Sequence, residues 1–196
     1  KQHYFSCTFG YGGNRLGSNS LLECVVYGRR TGRSIAEYVK NRKLPSFDAQ
    51  SYLTEAQEQM QQLINQSGTL RINEVRQEFQ DCMTEYCGVF RSQEVMEAGL
   101  VKLQEIKAKY EQIYLDDKHP AWNTELIEAL ELRSIMVVGE MILTSALNRQ
   151  ESRGSHARED FRDRDDERFL QHTLAYYSPA GIELNYMPVV INRFEP

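Results

Sequence analysis

A glycine-rich segment with a single arginine is the part of this sequence best suited to binding a small ligand. Residues 10–20 carry four glycines around Arg15 and lead into an apolar run. The start of a helix offers unpaired N–H groups and a partial positive charge, which suit an anion or an electron-rich ring edge. A guanidinium can hold a carboxylate through two parallel hydrogen bonds. The segment predicts a small carboxylate site; the alternative is that Arg15 pairs with a nearby acid and the glycines only turn the chain.

Helix-capping residues follow the glycines. Ser18, Asn19 and Ser20 are types preferred at helix N-caps, so we expect a capped helix to begin here. Gly28 and Gly32 lie one turn apart within it and indicate close backbone packing.

A second candidate for chemistry is the run 149–168, which is dense in both signs of charge and contains His156. Its carboxylates and imidazole would suit acid–base catalysis or metal binding. Mixed signs favour instead a solvated or interdomain network of salt bridges, with His156 as a hydrogen-bonded structural residue. The other histidines lie far apart and the four cysteines contain no C-x-x-C pair, so we expect no metal and reduced thiols.

Helical periodicity dominates the middle of the chain. Apolar residues recur at spacings of three and four. They predict four helices, at about residues 51–67, 72–87, 92–114 and 124–147. Asn123 is a suitable cap for the last, whose second half is apolar on nearly all sides and is therefore expected at the centre of a bundle.

Pro45 and the last residues of the chain predict a linker and a β-hairpin. Pro45 disfavours helix in residues 41–46, which predicts a linker and a domain boundary after residue 43. Alternating apolar and polar residues around 179–181 predict a β-hairpin within 172–194. The expected domains are 1–43, 44–170 and 171–196.

Charge and hydropathy exclude several classes of protein. The chain has 23 Lys and Arg against 28 Asp and Glu, a formal net charge of −5, which argues against non-specific nucleic-acid binding. No apolar run approaches the roughly 18 residues that a membrane-spanning helix needs. We therefore expect a chain that is soluble by itself.

Several ordered motifs, taken together, resemble the C-terminal third of the flavoprotein subunit of succinate dehydrogenase and fumarate reductase. The matching segments are residues 12–22 and 25–29, 87–91, 122–126, 151–160, 164–166 and 172–174. The resemblance implies a mainly α fold: a helical bundle with a remnant of the FAD-binding domain and a short C-terminal β element.

The resemblance also implies particular site residues. Arg15 falls on the substrate-binding arginine that clamps a carboxylate of succinate or fumarate beside the flavin. Ser20 and Leu21 fall on positions whose backbone approaches the isoalloxazine ring of FAD. No catalytic residue and no metal ligand is expected within the chain.

Partners and location follow from the same resemblance. The family passes electrons to an iron-sulfur subunit and quinone, and an anchor subunit ties it indirectly to the cytoplasmic face of a bacterial inner membrane. The dinucleotide fingerprint, the flavin-linking histidine and the proton-transferring arginine of the family have no counterpart here. We therefore expect a fragment that is inactive alone and does not retain FAD.

Two alternatives remain open at this stage. An L-aspartate oxidase-like flavoenzyme shares the Asn-Arg loop and the helical domain, although residues 158–160 and 164–166 look more like the succinate and fumarate enzymes. A non-catalytic helical docking module that presents its helices to an iron-sulfur partner is the alternative from another class.

Overall fold

The computed structural model describes residues 3–5, 18–43, 46, 48–178 and 180–191. The chain divides into two compact units, one formed by Thr8–Gln57 and the other by Lys1–Cys7 together with Glu58–Pro196. The boundary expected after residue 43 and the separation of 171–196 stay predictions.

Helices make up most of the described residues, which confirms the mainly α fold class. The helices are α1 Asn19–Val39, α2 Ala49–Asn65, α3 Ile72–Tyr86, α4 Gln93–Tyr110, α5 Thr124–Asn148 and α6 Asp166–Phe169. The strands are β1 His3–Phe5, β2 Leu70–Arg71, β3 Phe90–Arg91, β4 Ile113–Tyr114, β5 Ala157–Arg158, β6 Gln171–Ser178 and β7 Gly181–Pro188.

The core of the larger unit lies between α3, α4 and α5, which pack on one another. Its fully buried members include Val75, Met96, Leu103, Ile106, Leu132 and Leu143. Gly99 and Gly139 allow the helices to approach closely: a Cβ at Gly99 would lie 2.5 Å from Tyr86 Cβ, and one at Gly139 would lie 2.9 Å from the Phe79 ring. As expected, α5 is central, because it contacts both helices and also β6 and β7.

The predicted helix 92–114 is too long, because α4 ends at Tyr110. Residues 113 and 114 instead form β4, which pairs in parallel with β2. Just before this pairing, the carbonyl of Gln112 accepts a hydrogen bond from the amide of Thr69 at 2.9 Å. A Cβ on Gly68 would lie 1.8 Å from that same carbonyl oxygen, so only glycine fits there. A tertiary hydrogen-bonding partner therefore ends the helix.

The predicted cap at Asn123 is confirmed. Its side-chain oxygen accepts from the amide of Leu126 at 2.8 Å, which satisfies one of the free donors at the start of α5. The side chain is buried, and its amide group donates to two carbonyls of the preceding loop.

The predicted hairpin is also confirmed, as β6 and β7 pair antiparallel from Gln171↔Pro188 to Ser178↔Gly181. Gly181 has φ 124°, a conformation that L side chains rarely adopt, at the turn. Beyond the expectation, β1 adds to the other edge of β6 with His3 opposite Tyr177, which makes a three-stranded sheet.

We expect Gly99→Ala to lower the free energy of unfolding by about 1–3 kcal/mol, because the new methyl group would collide with Tyr86 where α3 and α4 meet. Urea unfolding followed by circular dichroism measures this. Gly28→Ala is the control, since a Cβ there meets nothing within 4 Å and alanine should favour the helix by about 0.5–1 kcal/mol. A Gly99→Ala variant as stable as the parent would contradict the close packing of α3 on α4.

Candidate functional site

The start of α1 is not capped by the side chain of its N-cap residue. Ser18 occupies the N-cap position with φ 64° and ψ 16°, and its side chain makes no capping hydrogen bond. The predicted side-chain cap is therefore wrong, because a capping residue needs an extended backbone to aim its oxygen at the first turn. The first intrahelical bond runs from the amide of Leu22 to the carbonyl of Ser18 at 3.0 Å. The amides of Ser20 and Leu21 precede it, and the described residues supply no acceptor for either.

This helix start is suited to an electron-rich group. No acidic residue lies in the first turn of α1 to offset the partial positive charge of the helix N-terminus. Ser20 is half-buried, and Leu21 has 67% of its surface exposed. The structure places these two predicted residues side by side. Arg15, the predicted carboxylate ligand, lies outside the described residues.

The close packing expected at Gly28 and Gly32 is not observed. A Cβ built at either position meets no atom of the described chain within 4 Å. The apolar residues of α1 are likewise exposed, among them Val25 and Tyr38.

The charged run 149–168 forms a network around the fully buried carboxylate of Glu151. Arg149 donates to Glu151 Oε1 at 2.5 Å, and Arg153 donates to both oxygens at 2.8 and 3.0 Å. The amide of Asp165 donates to Oε2 at 2.9 Å. Burial alone would raise the pKa of Glu151, but the hydrogen bonds from Arg153, Asp165 and Arg149 outweigh it and lower that pKa below its usual value.

Arg158 joins the ends of two helices. Its side chain is buried, and one guanidinium nitrogen donates to the carbonyls of Ala146, Leu147 and Arg149 at 3.1–3.3 Å, at the end of α5. The other two nitrogens bind Asp160 through two bonds of 2.7 Å. Asp160 in turn accepts from the first amide of α4 at 2.8 Å, and the Arg158 hydrogen bond lowers its pKa to about 2.

His156 is held as a neutral imidazole by both of its ring nitrogens. Nε2 lies 3.0 Å from the carbonyl of Arg149, which can only accept, so Nε2 carries the proton. Nδ1 then accepts from the Arg91 guanidinium at 3.0 Å. Burial, together with the cations Arg91, Arg158 and Arg149, lowers the pKa of His156. The ring has no free nitrogen for proton transfer, which agrees with the structural role expected for it.

The network is thus structural, as expected, but it is not simply solvated, because Glu151 and Arg158 lie inside the protein. The sequence did not reveal Arg91 as the partner of His156, although Arg91 is the last residue of the family-like segment 87–91. The Arg91 guanidinium also donates to the carbonyls of Gly88 and Cys87. Arg91 of β3 therefore links the imidazole of His156 to the loop that follows α3.

Other candidate chemistry is not supported within the part of the chain that the structure describes. No group of three or more His, Cys, Asp or Glu side chains could hold a metal ion there. Cys24, Cys82 and Cys87 are free thiols, and burial raises the pKa of Cys82 and Cys87, so neither is an activated nucleophile. None of the described helices is long and apolar enough to cross a membrane.

Solved structures share this architecture of a three-helix core joined to a β-hairpin sheet. A chain of E. coli quinol fumarate reductase superposes with a TM-score of 0.85 and is 35% identical; the match covers 93% of this chain and 32% of that one. The architecture of this chain therefore matches about a third of that longer chain.

Sequence comparisons identify the family. The profile of the family described as "Fumarate reductase flavoprotein C-term" matches residues 76–196. The succinate dehydrogenase flavoprotein subunit of Rickettsia conorii is 38% identical over 194 residues, and the fumarate reductase flavoprotein subunit of a Serratia strain is 39% identical over 194. The chain belongs to this flavoprotein family. Each match covers 95% of this chain but about a third of the relative, 31% and 32% respectively.

We expect Glu151→Gln to lower the free energy of unfolding by about 2–4 kcal/mol, because it leaves Arg149 and Arg153 without their buried counter-charge. Chemical denaturation measures the change. Glu159→Gln, which removes the same charge from an exposed position in the same run, should change stability by less than about 0.5 kcal/mol. Equal effects of the two variants would contradict the central position of Glu151.

Stability should fall as His156 becomes protonated. The folded chain holds the pKa of His156 below the unfolded value of about 6.5, so the unfolded chain takes up the proton first. The contribution of neutral His156 to the free energy of unfolding is complete above about pH 6.5 and is lost as the pH falls below that value. Unfolding free energies at pH 7 and pH 5 should therefore differ less in His156→Gln than in the parent. His119→Gln removes a histidine outside the network and should follow the parent; a parent-like pH dependence in His156→Gln would contradict this role.

Proposed function

We propose that this chain is part of an FAD-dependent oxidoreductase that interconverts succinate and fumarate. Its membership of the flavoprotein family is the observation that carries the proposal. Relatives named for succinate dehydrogenase and for fumarate reductase match it equally well, so the preferred direction of the reaction stays open.

The described residues fit a flavin at the start of α1. The amides of Ser20 and Leu21 precede the first intrahelical hydrogen bond, and no carboxylate in that turn would repel an electron-rich ring edge. In the proposed enzyme these two backbone positions hold the isoalloxazine of FAD, and Arg15 binds a carboxylate of the dicarboxylate substrate. When bound, FAD supplies the hydride acceptor for succinate oxidation and the donor for fumarate reduction.

The larger unit has a supporting role in this proposal. Its arginine and carboxylate side chains bind one another and helix ends, so they hold the fold and take no proton from substrate. The proposed partners are an iron-sulfur subunit that receives the electrons and passes them towards quinone, and an anchor subunit. Through them the protein would lie at the cytoplasmic face of a bacterial inner membrane.

Flavin binding by the chain is tested by mixing it with FAD, separating it by gel filtration and recording the visible absorbance of the protein peak. We expect no retained flavin band, because the residues that hold the rest of FAD in the family have no counterpart in the 196 residues. A retained band would contradict that expectation, and the same spectrum would then be titrated with fumarate for the parent and for Arg15→Ala. Arg33→Ala is the matched control, since it removes an exposed arginine further along α1.

The backbone role of Ser20 has its own test in the flavin-binding protein, whether this chain or a longer one that contains it. Ser20→Pro removes the amide donor in the first turn, where no helical bond is lost, and should weaken flavin binding by about tenfold or more. Ser20→Ala keeps the amide and should bind like the parent. Circular dichroism checks that α1 forms in both, and equal flavin affinities of the two variants would contradict the backbone contact.

Catalysis is tested by succinate-dependent reduction of an artificial electron acceptor. The 196-residue chain alone should show none. Turnover by the chain alone would overturn the expected inactivity. If a longer chain that contains these residues keeps full turnover after Arg15→Ala but still binds an iron-sulfur partner, the docking-module alternative would be favoured.

A further inference from the structure

Trp122 is exposed over 98% of its surface and has a backbone φ of 59°. This left-handed region is uncommon for residues other than glycine and strained for a bulky side chain. An indole kept in solvent on a strained backbone is the kind of feature that a partner surface covers, since buried aromatic anchors dominate protein interfaces. We name residues 116–123 the Trp122 loop.

Hydrogen bonds tie the backbone of the Trp122 loop to the side chains of Asn123, Asp117 and Glu125. The Asn123 side chain donates to the carbonyls of Asp117 and His119 at 2.7 and 3.0 Å. The amide of His119 donates to Asp117 Oδ1 at 2.8 Å, and the amide of Asp117 donates to Glu125 Oε2 at 3.0 Å. A loop whose backbone is already tied in this way has less backbone entropy to lose on binding.

The charge around the loop favours a basic partner. Asp117 and Glu125 accept hydrogen bonds from backbone amides, and neither lies within 4 Å of a cationic side chain among the residues that the structure describes. The amine of Lys118 is turned away, because it donates to the carbonyl of Ile64 at 2.6 Å. Two carboxylates that no described cation neutralises therefore flank the exposed indole along the sequence.

We propose that the Trp122 loop docks a basic segment of a partner protein. An arginine of that segment lies on the face of the Trp122 indole and pairs with the carboxylates of Asp117 and Glu125. Arginine satisfies both contacts at once, because its guanidinium stacks on aromatic rings and binds carboxylates. This inference is independent of the proposed oxidoreductase function.

The test uses intrinsic fluorescence, since Trp122 is the only tryptophan of the chain. A hexa-arginine peptide is titrated into the 196-residue protein at low ionic strength. We expect a saturable shift of the emission to shorter wavelength, a weaker effect from hexa-lysine and none from hexa-glutamate. Absence of any shift with hexa-arginine would overturn the proposal.

Charge variants separate a defined site from general attraction to an acidic protein. Asp117→Asn combined with Glu125→Gln keeps the acceptor oxygens of the loop but removes both charges, and it should weaken peptide binding about tenfold. The matched control is Asp81→Asn combined with Glu85→Gln, which removes two exposed charges near the far end of α3. Equal weakening by the two double variants would overturn the proposal.

Trp122→Gly tests the indole itself, with binding followed by the polarisation of a labelled peptide. Because glycine accepts a positive φ, this variant should keep or raise the thermal midpoint while peptide binding is lost. A lowered midpoint would show instead that the indole supports the fold. A parent emission that shifts with protein concentration, without peptide, would show that a second copy covers Trp122. Either result would overturn the proposal.

Discussion

The guanidinium of Arg158 is the group on which the joining of α4 and α5 depends, because it binds three carbonyls at the end of α5 and also the carboxylate of Asp160, which accepts from the first amide of α4. A helix ends with carbonyls that have no intrahelical partner and begins with amides in the same condition. The ion pair of the buried Arg158 with the partly exposed Asp160 satisfies groups at both ends. His156 and Glu151 add further hydrogen bonds nearby, which tie the loop that follows α5 at several points.

The charge arrangement also explains why this region is unsuited to catalysis. An acid–base group must be able to exchange its proton with a substrate, but both nitrogens of His156 are occupied and Glu151 accepts from three different residues. The roles proposed for Arg15, Ser20 and Leu21 lie elsewhere, in the glycine-rich segment and at the start of α1. Among the described residues, the charged run binds to itself and to helix ends, whereas the amides of Ser20 and Leu21 find no acceptor.

Two local signals predicted the structure well, although the side-chain cap expected at the start of α1 is not observed, and long-range contacts were not predicted. Asn123 could be identified as a cap because capping depends on residues three apart, and the hairpin because its turn residues are adjacent. The end of α4 was missed because pairing with β2, about 40 residues earlier in the chain, decides it. The types of Arg91 and His156 were visible in the sequence, yet their contact spans 65 positions. For the site, the positions of Ser20 and Leu21 at a helix start agree with the prediction, and their roles and that of Arg15 stay predictions.

The pairing of β1 with β6 bears on how the chain folds. His3 meets Tyr177, so the third strand of the sheet can join only after nearly all of the intervening chain has been made and has come together. During synthesis the helical core can form first, because its contacts are more local. Residues 3–5 have no partner strand until β6 has been made. Because this pairing is far less local than the contacts of the helical core, we expect the edge of β6 that meets β1 to gain protection from solvent exchange late in folding.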